Sequence, residues 1–298
     1  FGKGTYAYSV LIHELGHALG LKHTFEGGVS LPSGEDGYHN SVMSYTAYPG
    51  YADSMVNFNP TTPMLYDIAA IQYLYGANTS YNAGNNTYTF QQGQNYFQTI
   101  WDGGGKDTIV WQGSTQSATI DLRPGAWSDL GNSLQFYNFD WSPATTSTWT
   151  VAIAFAVTIE NATGGGAADQ LTGNNAANVL TGNAGNDTLN GNAGNDTLNG
   201  GSGADKMAGG KGNDSYFVNS TSDIVTELSG QGADLVKSSV TFSLVDTDGA
   251  GSNGGNVEKL TLTGVSVING TGNGLANILT GNSGNNTLNG LVGHDSLA

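Results

Sequence analysis

Three histidines, a glutamate and a glycine in one short stretch set the chemistry this chain can attempt. Val10 to His23 reads VLIHELGHALGLKH, the pattern H-E-x-x-H-x-x-G-x-x-H. His13 and His17 are four apart, so on a helix they lie one turn apart on one face. Two imidazoles so placed can grip one zinc ion. Glu14 stands beside the first of them, where its carboxylate can reach a water on the metal. Gly20 can end the helix, because glycine takes a left-handed conformation at little cost, and the turn after it brings His23 in as a third ligand. Three protein ligands plus a water is the open arrangement that catalysis needs, whereas structural zinc sites are closed. The plainer alternative is an amphipathic helix whose apolar face is Val10, Leu11, Leu15, Ala18 and Leu19. The chain has only five histidines, and three fall in this spacing with Glu14 and Gly20 in place. That combination favours one catalytic zinc.

Further elements must hold this cluster. A loop from Thr24 to Asn40, rich in Gly, Ser and acidic residues, leads to Ser41-Val42-Met43-Ser44-Tyr45. A methionine in a tight turn at this distance is the Met-turn that the extended motif requires, and Met43 would form an apolar floor beneath the ligands. Tyr45 is close enough in sequence to offer its phenolic oxygen to the metal. A second helix is expected next, with Thr62 as N-cap and Pro63 at the first helical position. Leu65, Ile68, Ala69, Ile71 and Leu74 give it an apolar stripe, and Gly76 and Asn78 stop it. Asp67 on this helix is either a buried partner of the Met-turn, the preferred reading, or a solvated residue.

From Tyr81 to Glu160 the pattern becomes strand-like, with Tyr88 to Phe90, Thr108 to Trp111 and Val151 to Ile159 as candidate strands. Asp102 and Asp107 flank Gly103, Gly104 and Gly105 in a loop that can wrap a calcium ion with carboxylate and backbone oxygens, or serve as an ordinary glycine turn. From Gly164 the chain repeats every nine residues. Position eight is always apolar: Leu171, Leu180, Leu189, Leu198, Met207 and Tyr216. Position six is Asp169, Asn178, Asp187, Asp196, Asp205 and Asp214. This is the repeat G-G-x-G-x-D-x-U-x that builds a calcium-binding parallel β-roll. Stacked turns would surround several hard cations with oxygen, and without them like charges would repel along the stack, so folding is expected to depend on calcium. The period loosens over 219–271 and resumes at Gly272, with Leu279, Leu288 and Leu297 expected inward. Position six there is Asn277, Asn286 and Asp295, so weaker calcium binding is expected.

Composition narrows the partners. Eight Lys+Arg against 24 Asp+Glu give a formal net charge of -16. That argues against nucleic acid and anionic membrane surfaces. There is no cysteine, hence no disulfide and no thiol nucleophile. No apolar run is long enough to span a bilayer. No secretory leader is visible, and both ends look cut, so a fragment of a longer protein is expected.

Together these residues resemble the serralysins, secreted bacterial zinc metalloproteases of the metzincin clan. The resemblance is carried by the zinc helix, Ser41 to Tyr45, Asp67 to Gln72, Tyr75 to Asn78, Asp102 to Asp107, Thr158 to Ala162 and the repeats. It implies the C-terminal part of an α+β metzincin protease domain followed by an all-β calcium-binding parallel β-roll. The expected organisation is 1–80 protease segment, 81–163 β-rich connection with the calcium loop, 164–218 β-roll, 219–271 irregular β continuation and 272–298 second repeat block. The resemblance further implies zinc on His13, His17 and His23, Glu14 as general base, and Tyr45 as a further zinc ligand that swings aside to stabilise the oxyanion. It implies calcium at Asp102, Gly104, Gly105 and Asp107, and again at Thr158, Glu160 and Asp169. With the position-six residues Asp187, Asp196, Asp205, Asp214 and Asp295, these make the expected calcium set. Substrates would be proteins and peptides, a proteinaceous inhibitor is a possible partner, and export would use a one-step apparatus. Ala167 and Ala176 depart from the repeat's fourth-position glycine. The resemblance begins inside the family's protease domain, so the N-terminal half of that domain is expected as a partner or on a longer chain. The alternative function is a calcium-dependent structural or adhesive exoprotein.

Overall fold

The computed structural model describes residues 1–28, 30–51, 53–246 and 254–298. Val29, in the expected 24–40 loop, and 247–253, in the irregular 219–271 segment, lie outside the described residues. Two compact units interleave in sequence. The first holds Phe1–Asn86, Phe90–Asp107 and Pro124–Thr158, and the second holds Thr87–Thr89, Thr108–Arg123 and Ile159–Ala298. Residues 81–163 are therefore divided between the two.

In the first unit, helix α1 spans Tyr6–Ala18. Thr5 caps it, its side-chain oxygen accepting the Tyr8 N–H at 3.3 Å. Gly20, at φ +90°, lets the chain reverse directly after it. Helix α2 spans Leu65–Tyr75 and ends at Gly76, as expected. Its start differs from the sequence expectation: Met64, not Thr62, is the N-cap. The Thr62 hydroxyl instead accepts the Thr99 N–H at 2.8 Å, and Asp67 closes the first turn by accepting the Met64 N–H at 2.9 Å. Leu134–Tyr137 pairs antiparallel with both Met55–Val56 and Pro143–Ser147. Val151–Ile153 pairs with Gln98–Ile100 and Trp127–Ser128. The expected strand over Val151 to Ile159 stops at Ile153, and a turn with Ala156 at φ +61° follows.

The core of this unit gathers Ile12, Val42, Met43, Val56, Met64, Phe97 and Phe136. Helix α1 meets it through Ser9, Ile12 and Gly16. The apolar face read from the sequence lies elsewhere on the helix: Val10, Leu11, Leu15 and Leu19 are 36 to 55% exposed.

In the second unit, successive nine-residue turns alternate between two parallel sheets, so each strand pairs with the one 18 residues on. One sheet stacks Leu180, Leu198, Tyr216, Val236, Leu260 and Leu279 in register. The other stacks Ile120, Leu171, Leu189, Met207 and Val225. All of these side chains are buried. A single nonapeptide cannot bury its apolar residue alone, and stacking makes one continuous core. The second block follows this only in part. Leu279 is buried, but Leu288 is half-buried and Leu297 is exposed, on a strand that among the described residues pairs only with Ile278–Thr280. No helix among the described residues is long and apolar enough to cross a membrane.

Candidate metal centre

The helical period brings His13 and His17 onto one face, and the reversal at Gly20 folds His23 back against them. Their Nε2 atoms converge: His17 to His23 is 3.1 Å and His23 to His13 is 3.2 Å. Nitrogens about 2.0–2.1 Å from a tetrahedral zinc stand about 3.3 Å apart, so the donor set fits that ion. The outer ring nitrogens are fixed. His13 Nδ1 lies 2.8 Å from the Val42 carbonyl oxygen, His17 Nδ1 2.9 Å from that of Leu21, and His23 Nδ1 2.8 Å from Glu26 Oε1. A proton on each Nδ1 leaves the Nε2 lone pairs facing the shared point, the usual way outer partners orient metal-binding imidazoles. His23 holds the Glu26 carboxyl below its ordinary range. The Tyr45 hydroxyl lies 2.9 Å from His23 Nε2, and Phe25 stacks on the His23 ring with centroids 5.1 Å apart.

Beneath the histidines the Met-turn is pinned from α2. Asp67 is buried, and its carboxylate accepts from Ser41 Oγ at 2.5 Å and from the Val42 N–H at 2.8 Å. Burial pushes its pKa up, and these hydrogen bonds oppose the shift. Met43 is fully buried under α1. Its sulfur comes so close that a Cβ on Gly16 would stand 2.5 Å from it.

Beside the cluster opens a cleft of about 630 Å³. His13, Glu14, Tyr45 and Val42 line it near the triad, and Tyr38, Val56, Phe139 and Trp141 line it further out. Phe139 and Trp141, on the turn after Leu134–Tyr137, are both largely exposed. Glu14 is exposed toward this space.

The expected calcium residues separate into groups. Asp102, Gly104, Gly105 and Asp107 share one loop of the first unit, with both aspartates buried. Gly104 and Gly105 have φ of +128° and +141°, which demands glycine. Asp102 Oδ1 accepts the Gly104 N–H, and Asp107 Oδ1 accepts the Asn86 N–H, each at 2.7 Å. Thr158 falls in the first unit, and Glu160 and Asp169 fall in the second. In the roll, the position-six amide of each turn donates to the position-six carboxylate 18 residues on: Asp169 to Asp187 at 2.7 Å, Asp187 to Asp205 at 2.9 Å, Asp196 to Asp214 at 2.7 Å. That uses one oxygen of each acceptor. The other, Oδ2 of Asp187, Asp196, Asp205 and Asp214, is buried without a hydrogen-bond partner among the described residues. Buried carboxylate oxygens are costly unless paired or bound to a metal, so the roll fits a hard cation such as calcium. Asp295 is half-buried, and its Oδ1 accepts the Asn277 N–H at 2.9 Å.

Reading the sequence alone missed Gly16, Glu26, the carbonyls of Val42 and Leu21, and the aromatic pair Phe139 and Trp141. Gly16 did carry a signal, since glycine inside a helix costs about 1 kcal/mol and asks for a packing reason. The rest are partners from loops, with no local pattern.

Comparison with known proteins agrees with this geometry. A Met-zincin family profile matches residues 4–93, and that of the RTX calcium-binding nonapeptide repeat matches 163–198, 181–216 and 271–298. The chain is 35% identical over 182 residues to Serralysin of Proteus mirabilis, covering 54% of this chain and 34% of that protein. It is 35% identical over 196 residues to Metalloprotease AprA of Pseudomonas entomophila, covering 57% and 37%. To Serralysin C of Dickeya chrysanthemi it is 39% identical over 193 residues, again covering 57% and 37%. The chain thus spans little more than a third of the length of these relatives. A Met-zincin segment and RTX calcium-binding repeats are both present and in that order, and over more than half of its length the chain is similar to serralysin-type metalloproteases.

Proposed function

We propose that this chain carries the catalytic centre of a secreted zinc endopeptidase, with His13, His17 and His23 holding the metal and calcium stiffening the roll. The observation that supports it most is the convergence of three Nε2 atoms on the wall of a cleft that Glu14 and Tyr45 also line. Bound there, zinc would supply Lewis acidity toward the scissile carbonyl and the attacking water. Glu14 accepts the proton of that water as its oxygen adds to the carbonyl carbon, and returns it to the departing amine as the C–N bond breaks. Tyr45 donates its hydroxyl to the carbonyl oxygen while negative charge develops there, the kind of placed donor that stabilises such a transition state. Met43 and the Met-turn keep the histidines from tilting. The exposed aromatics Phe139 and Trp141 give the outer cleft an apolar surface for a substrate side chain.

Calcium in the repeats links this reading to export. A roll whose buried carboxylates need cations stays open in a calcium-poor cytosol and closes outside, which suits one-step export of an unfolded chain.

The test is zinc content together with peptide hydrolysis. The protein should bind one zinc per chain, and Glu14→Ala should keep that zinc while losing at least about 100-fold in kcat, within the usual worth of a general base. Full hydrolysis by Glu14→Ala, or no zinc at His13, His17 and His23, would overturn the reading.

A further inference from the structure

Past the regular repeats, where the nine-residue period breaks, the roll buries three carboxylates together. Asp214, Glu227 and Asp234 each present an oxygen within 4.8 Å of the others. The three residues are between 0 and 2% exposed. Asp214 belongs to the last regular turn. Asp234 continues its position-six row, since Ser215 pairs with Leu235 and Tyr216 with Val236, whereas Glu227 lies in the irregular segment and fits no repeat position for a ligand.

Register shows why Glu227 is unusual. Asn190 pairs with Ala208, and Ala208 with Thr226. The next residues along are Gly191, Gly209 and Glu227, so Glu227 stands where the two preceding turns of that sheet have glycine. At Gly191 and Gly209 a Cβ would lie 2.2 and 2.1 Å from the Oδ2 atoms of Asp196 and Asp214. A side chain in this row therefore runs straight into the carboxylate row. At 227 that side chain is itself an acid.

The surroundings hold it there. The Tyr216 hydroxyl accepts the Gly209 N–H at 2.6 Å and donates to Glu227 Oε1. Asp234 Oδ1 accepts the Asp214 N–H at 2.8 Å, and the Asp234 N–H donates to Glu258 Oε2, also at 2.8 Å. Among the described residues, two oxygens are then left buried with no hydrogen-bond partner, Glu227 Oε2 and Asp214 Oδ2. Lys259 acts on Asp234, but its Nζ donates to the Ala233 carbonyl at 3.5 Å.

We infer that Asp214, Glu227 and Asp234 form a calcium site that Glu227 completes from outside the nonapeptide pattern, closing the regular stack onto the irregular turns. Oxygen-only donors select a hard cation over zinc or copper. The ligand spread suits calcium, whose ligands lie at about 2.3–2.6 Å, so that opposite oxygens stand roughly 4.6–5.2 Å apart. An uncompensated buried trio of carboxylates would destabilise the turn, and the ion converts it into a clamp. The inference does not depend on the zinc reading.

The experiment compares the full chain with Glu227→Gln, which keeps the volume and removes the charge. Calcium stoichiometry by native mass spectrometry should fall by one per chain, while the zinc content is unchanged. The melting temperatures should cross. In chelator, Glu227→Gln melts at or above the wild type, because repulsion is relieved; in calcium it melts below. Glu227→Gly, which restores the residue of the neighbouring turns, should show the same loss of one calcium. If Glu227 serves only as the acceptor for Tyr216, both variants keep the full calcium count and melt lower in both conditions, and the inference is overturned.

Discussion

Asp67 and His13 grip the same residue from two sides. The Asp67 carboxylate accepts the Val42 N–H, and His13 Nδ1 faces the Val42 carbonyl, each at 2.8 Å. Asp67 also accepts from Ser41 Oγ and from the Met64 N–H. One buried acid on α2 thereby sets the start of its own helix, the Met-turn and the orientation of the first histidine.

Asp67→Ala should therefore weaken both fold and metal site. It leaves three buried donors unmatched, for an expected cost of roughly 2–4 kcal/mol in urea unfolding. Zinc affinity, read by chelator competition, should drop about 10–100-fold, as when an outer partner of a ligand is lost. Unchanged affinity would mean that Val42 is held in place without Asp67.

Gly16→Ala sets helix propensity against packing. Alanine favours a helix interior by up to about 1 kcal/mol. The new methyl would meet Met43 sulfur at 2.5 Å, and such overpacking costs about 1–3 kcal/mol. The variant should lose stability, and adding Met43→Ala should cost less in this background than in the wild type. Additive effects would show that the contact carries no strain.

His39 gives the first unit an acid limit. Its ring is buried among Phe97, Trp127 and Phe136, and burial pushes its pKa down to about 4 from 6.5. Between these values the unfolded chain binds a proton that the folded one refuses. The stability is complete above pH 6.5 and is lost as pH falls toward 4, by about 3 kcal/mol. His39→Phe should flatten this part of the profile in denaturant titrations at stepped pH. An unaltered slope would place the acid sensitivity elsewhere.

The calcium-free roll should show the opposite trend. Burial raises Asp187 and Asp234 to about 6 and Asp196 to about 7 from an ordinary 3.8. The folded state then binds more protons than the unfolded one between these values. In chelator, stability is greatest at the acid end and is lost as pH rises through about 6–7. Far-ultraviolet circular dichroism in chelator should show more β-structure near pH 5 than near pH 8, roughly either side of that window. Calcium should reverse the order, because protons compete for its ligands. Equal spectra in all four conditions would contradict a roll held by its carboxylates.

Local periodicity carried much of this molecule. The α-helical repeat and the glycine after it suffice to predict that His13, His17 and His23 meet, since the whole cluster spans eleven residues and one reversal. The nine-residue repeat likewise determines the roll, because each turn contacts only its neighbours and the inward positions of the first block follow from the count, whereas Leu288 and Leu297 of the second are not buried. What needed the tertiary structure depends on residues far apart in sequence. Asp67 reaches Val42 across 25 positions, and Thr62 gives up its capping role to serve Thr99 across 37. The apolar residues Val10, Leu11 and Leu15 imply a buried face by helical count, yet α1 turns Ile12 and Gly16 to the core, because only there can Met43 pass close to the backbone. Glu227 meets Asp214 and Asp234 only after strand register places it in the glycine row. Periodicity reports what a segment repeats with itself, and hydrogen bonds and packing between distant segments decide which face is covered and which acid is left without a partner.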